Sequence, residues 1–232
     1  MRQCARPFVL ALFVAGALAV AGCSSNSPSG NLAHIRTVDA VPNGGTATIF
    51  VNEGTATGSQ TYFQASPYLY IGGGAAGFQF TLSAQPSITY SAANENITPG
   101  AVYSVVAAGL ANVTDEIDAR YPRLIFLQDD TGSVPNGEAA VRLINVAPDS
   151  PDVDLVVAGA TEASSISYLH YTTYIDVPAG QRSIQIDQSG TSTALAGPQS
   201  NALIAGQHYT VYFVEPNYTT PTFGIQLLSD VP

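Results

Sequence analysis

Two stretches of this chain can be laid over one another without a gap, and nothing else in the sequence constrains the fold as strongly. Ile35-Arg36 stands where Val141-Arg142 stands, an offset of 142 − 36 = 106 residues. The same offset carries Pro42 onto Pro148, Val51 onto Val157, Tyr62 onto Tyr168, Tyr68 onto Tyr174 and Gly74 onto Gly180. It goes on to carry Ile97 onto Leu203, Gly100 onto Gly206 and Tyr103 onto Tyr209. Register kept over that length means one domain written twice.

Each copy reads as short β-strands. In the second, alternating or β-branched runs fall at 140–146, 153–157, 171–177, 182–187, 207–214 and 223–228. In the first they fall at 33–38, 46–51, 68–71, 78–82, 87–91, 101–107 and 123–127. Pro178-Ala179-Gly180-Gln181 between two runs is a turn of hairpin length. Only Asn112–Ala119 offers even a helical turn, and no window shows a capped 3.6-residue period. About seven short strands per copy is the count of an immunoglobulin-like sandwich. The expected fold class is all-β, two tandem immunoglobulin-like antiparallel β-sandwich domains at residues 32–131 and 138–232, each with its own core and able to fold alone.

A tyrosine corner supports that class. Ile97-Thr98-Pro99-Gly100-Ala101-Val102-Tyr103 is repeated as Leu203-Ile204-Ala205-Gly206-Gln207-His208-Tyr209. In such a corner the ring packs inside and the hydroxyl bonds upstream backbone, so Tyr103 and Tyr209 read as structural. Gly100 and Gly206 serve the turn before the strand, where a Cβ would be costly.

With Val141-Arg142-Leu143-Ile144-Asn145-Val146-Ala147-Pro148-Asp149-Ser150-Pro151-Asp152-Val153-Asp154, Tyr168, Tyr174, Val177-Pro178-Ala179-Gly180 and Gly206-Gln207-His208-Tyr209-Thr210-Val211, each copy resembles the DUF4397 domain. The first copy departs from that pattern at Asn43-Gly44-Gly45 and at Gly72-Gly73-Gly74. The family consists of extracellular modules with no assigned activity, so the resemblance implies an envelope module and no chemistry.

The N-terminus reads as an address. Arg2 and Arg6 precede an apolar run, Pro7–Val20, that is shorter than the roughly 20 residues a bilayer span needs. Residues 1–22 therefore read as a signal peptide. Val20-Ala21-Gly22-Cys23 resembles the lipobox of bacterial lipoproteins, which implies a lipidated Cys23 and a membrane partner reached through that anchor. An ordinary secreted protein cut nearby is the alternative. Ser24–Asn31 is a polar tether that reaches roughly 30 Å when extended. Ser24, by resemblance to Gram-negative lipoproteins, leans towards the outer membrane. Cys4 leaves with the signal, so the mature domains hold no cysteine and no disulfide framework.

Signal removal leaves five arginines, no lysine and 17 acidic residues, a net charge of 5 − 17 = −12. That excess argues against nucleic acid and against docking on anionic headgroups. No HExxH, HxxxH or GxSxG pattern occurs among His34, His170, His208 and the serines. His34 and His208 are expected as exposed strand residues. A non-enzymatic binding or structural surface module is the favoured function, with an unidentified envelope or extracellular partner. An envelope hydrolase with an unrecognised site is the runner-up. No cofactor is expected apart from calcium at one place. Asp149, Asp152 and Asp154 cluster at a strand entry and offer hard oxygens, against the alternative of a plain solvated acidic loop. The first copy has Asn43, Thr46 and Thr48 there.

Overall fold

A computed structural model describes residues 31–52, 54–91, 94–129, 131–220 and 222–230, so Cys23, the expected signal peptide and all but the last residue of the expected tether lie outside it. Every regular element in it is a strand. The first domain has β1 (Leu32–Ala40), β2 (Thr46–Val51), β3 (Thr55–Thr61), β4 (Leu69–Gly72) and β5 (Gly74–Ala76). It continues with β6 (Phe78–Leu82), β7 (Gln85–Ser91), β8 (Glu95–Ile97), β9 (Val102–Ala108) and β10 (Arg123–Asp129). The second has β11 (Glu138–Asn145), β12 (Val153–Val157), β13 (Ala160–Ile166) and β14 (Ile175–Pro178), then β15 (Gly180–Gln188), β16 (Ala194–Leu203), β17 (His208–Asn217) and β18 (Thr222–Ser229).

Each domain is a sandwich of two four-stranded sheets. The inner sheets run β10-β9-β1-β4 and β14-β11-β17-β18; the outer ones run β3-β2-β6-β7 and β13-β12-β15-β16. Pairing is antiparallel except where β1 lies parallel to β9 and β11 parallel to β17. The turns at Gly73 and Ala179 are not hairpins. β4 and β14 belong to the inner sheets, whereas β15 belongs to an outer sheet and β5 to a two-stranded side sheet, so the chain changes sheets there. Gly74 and Gly180 take that step with φ of +112° and +106°, where a side chain would be strained.

Between the sheets of the first domain lie Ile35, Ile49, Phe78, Phe80, Tyr103 and Val105, all buried. Val141, Leu143, Leu155, Ile186, Tyr209 and Phe213 hold the matching places in the second. The opposite faces of the two inner sheets are buried as well. Val38, Val106 and Leu127 meet Ile144, Val146, Tyr212 and Val214 in a third core shared by both domains. The middle strands β9 and β11 are consequently covered on both faces, which is why their burial is continuous rather than alternating. Neither domain, then, has a solvated inner sheet.

Two residues built for this contact carry uncommon backbone. Phe63 and Leu169, one repeat apart (169 − 63 = 106), have φ of +55° and +65°. Bulky residues rarely tolerate that conformation. Their amides are pinned to the Asp39 and Asn145 carbonyls at 2.6 and 2.8 Å, and both side chains pack on the shared core. Phe63 sets its ring edge against Tyr212 at 5.2 Å.

Candidate functional site

Buried charge sits at the centre of the domain contact. Arg36 donates to the Asp230 carboxylate of the second domain, and Arg142 to Asp129 of the first. All four side chains are at most 5% exposed. The Arg36 Nε also donates to Ser104 Oγ at 2.7 Å, and the Arg142 Nε to Thr210 Oγ1 at 2.8 Å. Ser104 and Tyr68 in turn donate to Asp129 at 2.7 and 3.0 Å; Thr210 and Tyr174 donate to Asp230 at 2.6 and 2.7 Å. Each guanidinium also lies over a tyrosine, Arg36 on Tyr68 and Arg142 on Tyr174. Burial opposes the charge on Arg142, but Asp129, Tyr174, Asp230 and Tyr212 together outweigh it and hold the guanidinium above its ordinary pKa.

The network repeats with the chain. Arg36, Tyr68 and Ser104 match Arg142, Tyr174 and Thr210 at the offset of 106. The aspartates match at 230 − 129 = 101, because the loop before β18 is shorter than the loop before β10. Each domain lends an arginine to the other's aspartate. Removing one partner of such a buried pair strands the other charge, a loss of about 3–5 kcal/mol, so the arrangement fixes one relative placement of the domains.

The domains leave a groove of about 890 Å³ along one side of their contact. Arg123, Leu124, Ile125 and Phe126 of β10 form one wall; Tyr168, His170 and Tyr171 form the other. Tyr171 is about half exposed. The Tyr168 hydroxyl is buried with no hydrogen-bond partner; burial pushes its pKa up, against the pull of the nearby Arg123 charge. Arg123 itself bonds the Tyr121 and Asp118 carbonyls, each at 3.2 Å.

The structure does not gather the three carboxylates of the acidic cluster, Asp149, Asp152 and Asp154, around one point. Among the described residues no group of three or more carboxylate, histidine or cysteine side chains is placed to hold a metal ion. Asp154 turns into the outer sheet and accepts from the Ser165 and Gly190 amides at 2.9 and 3.2 Å. Although burial works against its charge, the Ser165 and Gly190 amides and Ser189 hold its carboxyl below the usual range. Asp149 pairs with Arg120 of the first domain at 3.1 Å. Asp152 is exposed at the groove, one residue before β12 begins, so strand alternation does not align it with Asp154.

His208 also departs from expectation. It is buried on the central strand β17, edge-on to Tyr174 at 5.0 Å, because both faces of that strand are covered. His34 is half-buried against Tyr70, and His170 is exposed. The corner residues sit as structural parts. The Tyr103 hydroxyl accepts from the Thr98 amide at 3.1 Å, and Tyr209 from Ile204 at 3.0 Å. Gly100 and Gly206 turn with φ of +79° and +82°.

Sequence reading missed the whole arginine–aspartate network. Arg36 and Arg142 were visible as repeat landmarks, but Asp129 and Asp230 stand at a different offset and carried no signal. The usable signal was the absence of alternation in the Val102–Ala108 strand, which marks a strand covered on both faces. No curated protein matches the chain. The family model described as "Domain of unknown function (DUF4397)" matches residues 33–156 and again residues 139–231. With both halves matched and one sandwich built twice, the chain belongs to the DUF4397 family.

Proposed function

We propose that this protein is a lipid-anchored cell-envelope module that binds a partner and performs no catalysis. The observation that carries the reading is the locked pairing of the two sandwiches, which presents one open groove from both domains. The chain enters β1 beside the Thr98–Gly100 turn, where the Gly100 amide donates to the Leu32 carbonyl at 2.8 Å. Arg123 pairs with Ala108, six residues further along β9 than Val102. One end of the groove therefore lies roughly 20 Å along the strands from the tether, on the side away from a membrane anchor. The hydrolase alternative needs a histidine held by a carboxylate and aimed at a nucleophile. His170, on the groove, instead meets the Tyr168 carbonyl at 3.1 Å.

Membrane fractionation tests the anchor. Wild-type protein is expected in the membrane pellet after a salt wash, and Cys23→Ala in the soluble fraction with an unchanged far-ultraviolet circular dichroism spectrum. A Cys23→Ala protein that still pellets and resists the wash refutes the lipid anchor.

A further inference from the structure

We infer that the groove takes an extended peptide, which joins the inner sheet of the first domain as a further strand along β10. The inference rests on the binding reading above and names its partner class.

β10 is a sheet edge, paired with β9 alone. Its other edge carries backbone amides and carbonyls without a strand beside them, and a second extended chain satisfies that chemistry best. Three successive apolar residues, Leu124, Ile125 and Phe126, stay only half-buried there. Folded proteins usually blunt such edges with charge, proline or a covering element. The sister edge shows the contrast: β16 packs along β18, whereas the first domain's counterpart of β16 is divided into β7 and β8, and β7 touches β10 far less. The open edge lines a groove of about 890 Å³.

Charge narrows the partner further. Arg36, Arg120 and Arg142 each hold a carboxylate. Arg182 bonds the Pro178 and Ala179 carbonyls beside it. Arg123, on the groove, bonds only carbonyls among the described residues. Glu95 and Asp152 also line the groove, so a carboxylate brought by the peptide is favoured only beside Arg123, while Tyr168 and Tyr171 across the groove would flank alternate side chains. The partner is thus an extended peptide with apolar residues at alternate positions and an acidic residue at the Arg123 end.

The probe is a random dodecapeptide library displayed on phage, panned against the full chain in detergent micelles. Enriched peptides are expected to show the alternating apolar pattern with a carboxylate. N-methylation of alternate backbone amides on one edge of a selected peptide is expected to weaken binding about tenfold, the worth of one or two hydrogen bonds, and methylation of the other edge to have little effect. Arg123→Gln is expected to weaken acidic peptides by a similar factor, and neutral ones much less. Failure to enrich any peptide overturns the inference, and so does affinity indifferent to methylation of either edge. Binding to a glycan array without peptide enrichment overturns it too and makes the groove a saccharide site. None of these results touches the anchor, which the Cys23→Ala fractionation decides separately.

Discussion

Replacing Asp39 by asparagine is expected to stabilise the protein at neutral and alkaline pH. Asp39 is fully buried, one carboxylate oxygen accepts the Val41 amide at 2.9 Å, and the other has no partner. One repeat later Asn145 does the same work, accepting from the Ala147 amide at 3.1 Å. Its amide nitrogen donates to the Ile166 carbonyl and the Ser150 hydroxyl at 3.2 and 3.0 Å. A carboxylate in that place can donate only when protonated. Burial accordingly pushes the Asp39 carboxyl up to about 7 from 3.8, although the Val41 and Ala47 amides pull the other way. The folded chain thus binds a proton that the unfolded chain gives up near pH 4. Stability from this group is whole below that pH, falls as pH rises, and is lost once pH passes about 7. A shift of about three units at 1.36 kcal/mol each makes the loss about 4 kcal/mol. Urea unfolding, followed by far-ultraviolet circular dichroism from pH 4 to pH 8, measures it. The advantage of Asp39→Asn over wild type is expected to grow by about 4 kcal/mol across that range and then level off. Parallel pH profiles for the two proteins would refute a buried, protonated Asp39.

Two other substitutions test the frame. Tyr209→Phe strands the Ile204 amide and is expected to cost about 1–3 kcal/mol in urea unfolding, while leaving the spectrum of the folded protein unchanged. Asp129→Ala leaves the buried Arg142 only the longer 3.8 Å pairing with Asp230 and is expected to cost about 3 kcal/mol; added sensitivity of the 132–137 linker to protease would report the loosened domain contact.

The repeat, the tyrosine corners and most central strands were legible because they depend on local pattern. Ile97 through Tyr103 says turn, strand and buried ring within one short window. Strands β3, β13 and β16 were not legible, since TATGSQT, ATEASSI and ALAGPQSNAL lie at sheet edges with polar or exposed faces. An edge strand needs a partner on one side only and tolerates Gly and Pro, so it leaves little periodic signal. The surroundings of the acidic cluster were hidden for a related reason. Three carboxylates adjacent in sequence were separated by a strand boundary and by Arg120, a residue 29 positions away from Asp149.

The domain contact is written in the repeat, not added to it. If the halves were independent beads, positions facing outward on β1, β9, β11 and β17 would be free to become polar. They hold Val38, Val106, Ile144 and Tyr212 instead. Phe63 and Leu169 keep the same strained backbone to reach the same core. Arg36 and Arg142 occupy one repeat position, yet each spends its charge on the other domain's aspartate. A surface that is apolar, strained and charged at equivalent places in both copies is self-complementary, as the face of a two-fold dimer is. Joining the two copies through the 132–137 linker holds that pairing within one chain. The two copies can then diverge where the pairing does not constrain them, and the groove is such a place: β10 is open to it, whereas its sister strand β18 is covered by β16.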